Sequence, residues 1–316
     1  MKIAILDDYL NVALDLGDWA ALEGRAQLSV FDTPFSSEGD AAAKLADYEI
    51  IVGMRERTPF PASLINRLPA LKLLITTGMK NQSFDMEAAK AQGVTVCGAG
   101  GLGQPTAELT WAMILGLACH IPTHDNTMKD GGWQTKLNGM LQGKTLGVLG
   151  LGKLGGAVAN VGKAFGMRVI AWSQNLKDER AAEIGAERVS KDELLAQSDY
   201  ISIHLVLSDR SRGLIGPEDL ALMKPTAYLV NTSRGPIVDQ AALIAALRDG
   251  QIAGAGIDVY EVEPLPADHP LRSLDNVLLT PHMGYVAHDN IAHMYSQAAE
   301  DIAAFLDGAP IRVLNA

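Results

Sequence analysis

The sequence has almost no cysteine: Cys97 and Cys119 are the only two in 316 residues. Two thiols cannot build the disulfide framework of a small secreted protein, so a reducing cytoplasm is the expected compartment. Basic residues are not in excess either. The 26 Lys and Arg stand against 37 Asp and Glu, a formal net charge of -11, which argues against nucleic acid or an anionic membrane as partner. Any anionic ligand must therefore be held by a local cation working against the global field. No apolar run is long enough to span a bilayer, and nothing is low-complexity or linker-like. The N-terminal MKIAILDDYL is too short and too acidic for a signal peptide and reads as a first strand. No metal site is expected.

What is present fits a globular protein, with 48% hydrophobic and 20% charged residues in a length that suggests two domains. The chain is organised around residues 145–172, TLGVLGLGKLGGAVANVGKAFGMRVIAW. Residues 146–149 form a short apolar run, and Gly150, Gly152 and Gly155 then give G-x-G-x-x-G. Leu154, Val158, Val161 and Phe165 recur at helical spacing, Gly166 is a natural C-cap, and residues 168–172 read as a second strand. A bare glycine motif in a chain with 31 glycines is a weak signal; inside a strand–helix–strand unit it becomes a strong one. Gly150 permits the tight turn, Gly152 lets backbone approach a pyrophosphate, and Gly155 lets helix and strand pack closely.

Strands are expected at residues 2–6, 27–31, 49–52, 71–76 and 94–97, with helices near 38–46, 59–68 and 85–92. Strands alternating with helices mean a parallel sheet covered on both faces. The composition breaks at residues 98–104, GAGGLGQ, and a long apolar helix pattern follows over residues 106–119. A polar, turn-rich passage containing Trp133 leads to the central motif. Strands are then expected at 200–205, 227–231, 255–259 and 277–279, with helices near 192–197, 217–223 and 240–249. A final helix over residues 287–306 could cross back and pack on the first domain. A cleft between two such domains is where a ligand is expected.

Three strand ends of the second domain carry candidates for chemistry. Arg234 lies in NTSRG after an apolar strand, and a guanidinium fork is a natural clamp for a carboxylate. His282 follows LLTP, and of the seven histidines it is the one placed immediately after a strand; an ordinary imidazole pKa near 6.5 suits reversible proton transfer. Glu261 and Glu263, in DVYEVEP, both lie beyond a strand, and either carboxylate could fix the tautomer of an imidazole.

The ordered set TLGVLGLGKLG, NTSRGPIVD, GIDVYEVEP and TPHMG resembles the D-isomer-specific 2-hydroxyacid dehydrogenase family, over nearly the whole chain. The resemblance implies an α/β protein of two doubly wound parallel-sheet (Rossmann-like) domains. A substrate-binding domain of residues 1–100 plus 285–316 would be discontinuous around an inserted NAD(P)-binding domain of residues 101–284. It implies hydride transfer between a nicotinamide cofactor and a small (R)-2-hydroxy acid/2-keto acid pair, in a homodimer. Arg234 would anchor the substrate, His282 would be the acid/base, and Glu263, directly before the proline, would be its partner. Expected cofactor contacts are Gly150, Gly152, Lys153, Leu154, Gly155, Ser173, Gln174, Thr106, His204, Thr232 and Asp258. Arg55 in MRERT and the Gly78-Met79-Lys80 loop, whose backbone N–H groups would cradle the carboxylate, are expected substrate contacts. Lys80, the Gln82-Ser83 pair, Leu205-Val206-Leu207 and Tyr285 depart from the family pattern in ways that bear on substrate identity. The histidine–glutamate pair disfavours the related formate dehydrogenases, which carry glutamine there. A dinucleotide-sensing, corepressor-like protein is the alternative of another class.

The cofactor choice follows from the second strand of the motif. An acidic residue about 20 positions after the glycines ordinarily accepts the adenosine ribose and repels a 2′-phosphate. Here that place falls on Ser173, and no acid appears until Asp178. Ser173, Gln174 and Asn175 could donate to a phosphate and Lys177 could add charge, so NADP is expected to be slightly favoured over NAD.

Overall fold

The computed structural model describes residues 1–316, and the chain divides into two compact units. The first comprises Met1–Leu102 and Val286–Ala316, and the second Gly103–Tyr285. Both are built on parallel sheets.

In the first unit, strands β1 (Lys2–Ile5), β2 (Gln27–Val30), β3 (Ile50–Gly53), β4 (Leu73–Thr76) and β5 (Thr95–Gly98) pair in the order β2-β1-β3-β4-β5. The middle strands β3 and β4 are buried at every position, which is why IIVG and LLIT are continuous apolar runs rather than alternating ones. Helices α1 (Ala13–Leu16), α2 (Glu38–Leu45), α3 (Ala62–Ile65) and α4 (Met86–Ala91) connect them. Ser37 and Asp85 cap α2 and α4 through their side chains. The chain re-enters this unit at its end, with a long helix over His288–Leu306 packing on β4 and α1. Beyond that helix the tail runs antiparallel beside β5, Gly98 N–H donating to Arg312 O and Leu314 N–H to Val96 O. Arg312 ties the tail to the helix through Asp301, Nε to Oδ1 2.9 Å. Asp301 is fully buried, its Oδ2 has no hydrogen-bond partner, and burial pushes its pKa up to about 6.

The second unit opens with α5 (Gln104–Ala118) and α6 (Ile121–Lys129). It continues β6 (Thr145–Leu149), α7 (Lys153–Ala164), β7 (Arg168–Trp172), α8 (Asp178–Ile184), β8 (Glu187–Arg188), α9 (Lys191–Gln197) and β9 (Tyr200–Ile203). Helix α10 (Pro217–Leu222), β10 (Tyr228–Asn231), α11 (Gln240–Arg248), β11 (Gly254–Ile257) and β12 (Val277–Leu279) complete it, and the helix of the re-entering segment is α12. The strand order is β12-β11-β10-β9-β6-β7-β8, so the direction of winding reverses between β6 and β9. Both faces are covered. Leu146 and Val148 of β6 pack with Trp111 and Val158, while Leu149 packs with Leu194 and Ile201 on the other side.

Three local expectations are corrected. The passage after α5 contains a helix, α6; its sequence IPTHDNTMK buries no residue, so no apolar stripe marks it. Residues 173–190, for which the sequence predicts no element, hold α8 and the short β8; DERAAEI is rich in good helix formers. Two of the apolar residues expected on the buried stripe of α7 lie off it: Val161, and Phe165 just past the end of the helix, are each 40% exposed. Its buried face is Gly155, Gly156, Val158, Ala159 and Gly162, because the helix lies so close to the sheet that small residues are required.

Candidate active site

In open α/β sheets ligands bind beyond the carboxyl ends of the strands where the winding reverses. In the second unit that point is the end of β6 and β9, occupied by Gly150 and His204. Gly150 has φ +100°, a left-handed conformation, and a Cβ there would lie 2.6 Å from His204 O. A Cβ on Gly155 would lie 1.9 Å from Gly150 O, so this turn closes only around glycine. Gly152, by contrast, has nothing within 4 Å of its Cβ position, and α7 begins there without a side-chain cap. The result is an open cradle at a helix N-terminus whose first N–H groups are not taken by a capping side chain. That fits the pyrophosphate of a dinucleotide. Lys153 is exposed at the first turn of α7, Leu154 is half-buried, and the Lys153 ammonium lies 3.8 Å from the Cβ position of Gly103.

A cavity of about 690 Å³ adjoins the cradle, lined among others by Gly152, Ser173, Asn175, Lys177, Arg180 and His204. Gln174, next in sequence to Ser173, is exposed and is not among the lining residues. His204 shares a 2.8 Å hydrogen bond through Nε2 with Ser202 Oγ, and desolvation lowers its pKa to about 4. It therefore stays neutral at the cavity wall. Arg180, on α8, belongs to no sequence motif. Its Nε donates to Leu151 O at 3.1 Å and its Nη2 to Gly152 O at 3.3 Å, within the glycine turn itself.

The other strand ends of this unit bring the acid/base candidates together. His282 Nδ1 lies 2.5 Å from Glu263 Oε2, with side chains 16% and 28% exposed. The other carboxylate oxygen, Oε1, accepts from Tyr260 N–H at 2.9 Å. Glu261 is exposed, and its N–H reaches Gln240 Oε1 at 3.4 Å. His282 sits at φ +51°, an uncommon conformation for a residue with a side chain, and its N–H donates to Thr280 O. Asp258 holds that turn. Its Oδ1 accepts from Thr280 Oγ1 at 2.6 Å and Met283 N–H at 2.8 Å, and its Oδ2 accepts from Gly284 N–H at 2.9 Å. Burial raises the Asp258 pKa, opposed by these bonds and by His282. Tyr260 laces the same two strand ends, its hydroxyl donating to Ile257 O and Thr280 O.

Arg234 is held in a turn closed by Asn231, whose Oδ1 accepts from Ser233 N–H and whose Nδ2 donates to Arg234 O, each at 3.0 Å. Its Nη1 donates to Ser233 O at 2.7 Å. Gly235 then presses on the Tyr260 backbone, where a Cβ would lie 2.2 Å from the Tyr260 carbonyl. The Arg234 turn and the Tyr260–Glu263 loop are thus neighbours. Thr232 and Thr106 belong to a polar chain beneath this surface. The Thr232 and Thr110 hydroxyls lie 2.9 Å apart, Thr110 donates to Thr106 O, and Thr106 donates to Gly284 O at 2.8 Å. Thr106, Thr232 and Asp258, which the resemblance places at the cofactor, use their side chains to order these loops.

In the first unit, Arg55 follows β3 at φ +55°, its N–H donating to Thr77 Oγ1 and its Nη1 to Thr77 O. Gly78 follows β4, and its N–H donates to Thr76 O at 2.8 Å. Met79 and Lys80, the other members of that loop, are exposed.

A family model described as D-isomer specific 2-hydroxyacid dehydrogenase, NAD binding domain, matches residues 111–284. A glyoxylate reductase of Aeropyrum pernix is 43% identical over 263 residues, 80% of this chain and 78% of that protein. A D-3-phosphoglycerate dehydrogenase of Archaeoglobus fulgidus is 36% identical over 315 residues, 99% of this chain and 58% of that protein. Among solved structures, a phosphoglycerate oxidoreductase from Vibrio cholerae O395 superposes with a TM-score of 0.93 at 38% identity, covering 98% of this chain and 100% of that one.

Proposed function

The chain belongs to the D-isomer specific 2-hydroxyacid dehydrogenase family, and from that premise we propose that Arg234, His282 and Glu263 carry the reduction of a small 2-keto acid to the (R)-2-hydroxy acid, and its reverse. That the protein is an oxidoreductase using a nicotinamide cofactor follows from the family; the residues and the substrate are our reading. The observation that carries it is the 2.5 Å His282–Glu263 pair, set in the same unit as the glycine cradle and beside the Arg234 turn. A nicotinamide, when bound, would supply the hydride chemistry at C2 of the keto acid in either direction.

Gly150, Gly152, Gly155 and the N-terminus of α7 would hold the pyrophosphate, with Ser173 and Asn175 toward the adenosine. Arg234 anchors the substrate carboxylate and polarises the keto group. With Nδ1 fixed on Glu263, His282 works through Nε2, giving its proton to the developing alkoxide in reduction and taking it in oxidation. Glu263 supplies the counter-charge while the ring is cationic. Asp258 and Tyr260 keep the two loops in register. The absence of an acid at Ser173 supports a modest preference for NADP(H) over NAD(H).

A homodimer is part of the reading. Residues 131–140 are exposed and without regular structure, yet Trp133, Leu137 and Met140 are 70%, 93% and 68% exposed beside exposed Ile121 and Met128. An apolar arm of this kind is better covered by a second copy than by water. Sedimentation velocity showing only monomer would contradict it. No helix is long and apolar enough to cross a membrane, and Cys97 and Cys119 are unpaired, which supports a reducing cytoplasm. The corepressor-like alternative is not favoured, since the relatives above are named as reductases and dehydrogenases. Turnover of glyoxylate, hydroxypyruvate and pyruvate with each reduced cofactor tests the proposal. Dinucleotide binding without turnover of any small 2-keto acid would overturn it.

A further inference from the structure

The adenosine end of the cavity lacks the two side chains that ordinarily decide between the dinucleotides. Its β7 end carries neither an acid nor an arginine over Ser173–Asn175. The cation there comes instead from the next helix. Arg180 of α8 is bolted to the glycine turn by Nε on Leu151 O and Nη2 on Gly152 O, and its Nη1 donates to Glu183 Oε2 at 2.7 Å. These three bonds use three of the five N–H groups of a guanidinium, leaving two on a rigid planar fork at the wall that Ser173, Asn175 and Lys177 share.

Two further residues serve this placement. A Cβ at Gly156 would lie 3.1 Å from Arg180 Nη2, so glycine there gives the guanidinium room to lie on α7. Glu183 balances the charge, and its side chain is 66% exposed, so solvent can receive it when another anion takes its place. Glu179 is the other carboxylate on the wall, and Lys177 offsets it. A fork already fixed by carbonyls loses little freedom on meeting a phosphate, and phosphate is the geometry it matches.

We propose that Arg180 is the specificity-determining residue of the adenosine end: it takes the 2′-phosphate of NADP(H), exchanging its contact with Glu183 for the phosphate. This rests on the dinucleotide reading of the same cavity, and it assigns the NADP preference to one side chain. The test is equilibrium binding by calorimetry on the full chain without substrate, with 2′-phospho-ADP-ribose and ADP-ribose as probes. Arg180→Met should weaken the 2′-phosphorylated probe about ten- to hundredfold, the loss expected for a hydrogen bond between charged groups, and change ADP-ribose little. Glu183→Gln should tighten the phosphorylated probe and leave ADP-ribose unchanged.

Equal weakening of both probes by Arg180→Met would mean that Arg180 only braces the glycine turn, and would overturn the assignment. So would unchanged binding of both, or a parent protein that binds ADP-ribose the tighter. Thermal melting without ligand checks that each variant is folded. Keto-acid reduction with NADH by Arg180→Met separates the two readings. Retained turnover with an unaltered probe preference sinks the Arg180 assignment alone, whereas absent turnover in the parent sinks the proposed function.

Discussion

Gly152 and Gly155 stand three residues apart in one turn, and the structure gives them opposite jobs. At Gly155 a methyl group would lie 1.9 Å from Gly150 O, a backbone atom that cannot swing aside. To reach even the closest tolerated contact, α7 must move away from β6 by about 1 Å, and overpacking of that kind costs about 1–3 kcal/mol, more where backbone must shift. For a unit of this size that is a fall of roughly 2–12 °C in Tm. At Gly152 the same methyl meets nothing within 4 Å, and φ is −76°, so alanine fits the backbone. Its folded-state cost is limited to replacing a favoured N-cap residue, about 1 kcal/mol at most. The methyl instead fills space needed for backbone to approach a pyrophosphate, so dinucleotide affinity should fall about ten- to hundredfold, the value of a hydrogen bond to a charged group. Thermal melts without ligand and calorimetric titration with NADP⁺ or NAD⁺ measure the two effects separately. The expected outcome is Gly155→Ala with low Tm and weak binding, and Gly152→Ala with near-parental Tm and weak binding. A Gly152→Ala protein that binds the dinucleotide as the parent does would refute the cradle.

Glu263→Gln keeps the hydrogen-bonding shape but removes the counter-charge 2.5 Å from His282 Nδ1, so the pH–rate profile should move toward acid; an unmoved profile would contradict the pairing. Arg234→Lys retains the charge but loses the fork, and kcat/KM for a keto acid should fall at least tenfold; parental kcat/KM would remove Arg234 from substrate anchoring. Asp301 tests the tail. Its folded pKa is raised from 3.8 to about 6, so the stability tied to its protonated form is full below pH 3.8 and is lost as pH rises through about 6. That loss is on the order of 3 kcal/mol, and Asp301→Asn, which does not titrate, should flatten the dependence of Tm on pH between about 4 and 6. Parallel curves for parent and variant would show that Asp301 does not report burial in this way.

What could be read from the sequence follows how residues announce themselves. Continuous apolar runs such as IIVG and LLIT are legible because a strand buried on both faces has no alternation to hide. The glycine turn is legible because its conformation and close contacts leave no other residue possible. Arg234, His282 and Glu263 were visible as polar residues just past apolar strands, although choosing Glu263 over Glu261 needed the family resemblance. The hidden parts depend on contacts that spacing does not encode. The resemblance places Asp258 and Thr232 at the cofactor, but spacing does not show that their oxygens are also engaged by loops and a helix distant along the chain. Arg180 is not legible because its partners are two carbonyls 28 and 29 residues earlier. Helix α6 is not legible because it buries nothing.

In the proposed function, His282 moves the substrate proton in a hydride-transfer site built on this cradle. The most direct measurement of that role is the rate of reduced-cofactor oxidation with a turned-over 2-keto acid for the parent and His282→Ala, alongside dinucleotide affinity for both. The expected rate is lower by roughly 10²–10⁴-fold with affinity nearly unchanged, because the proton is needed only in the chemical step. A His282→Ala protein that turns over within a few-fold of the parent would contradict it.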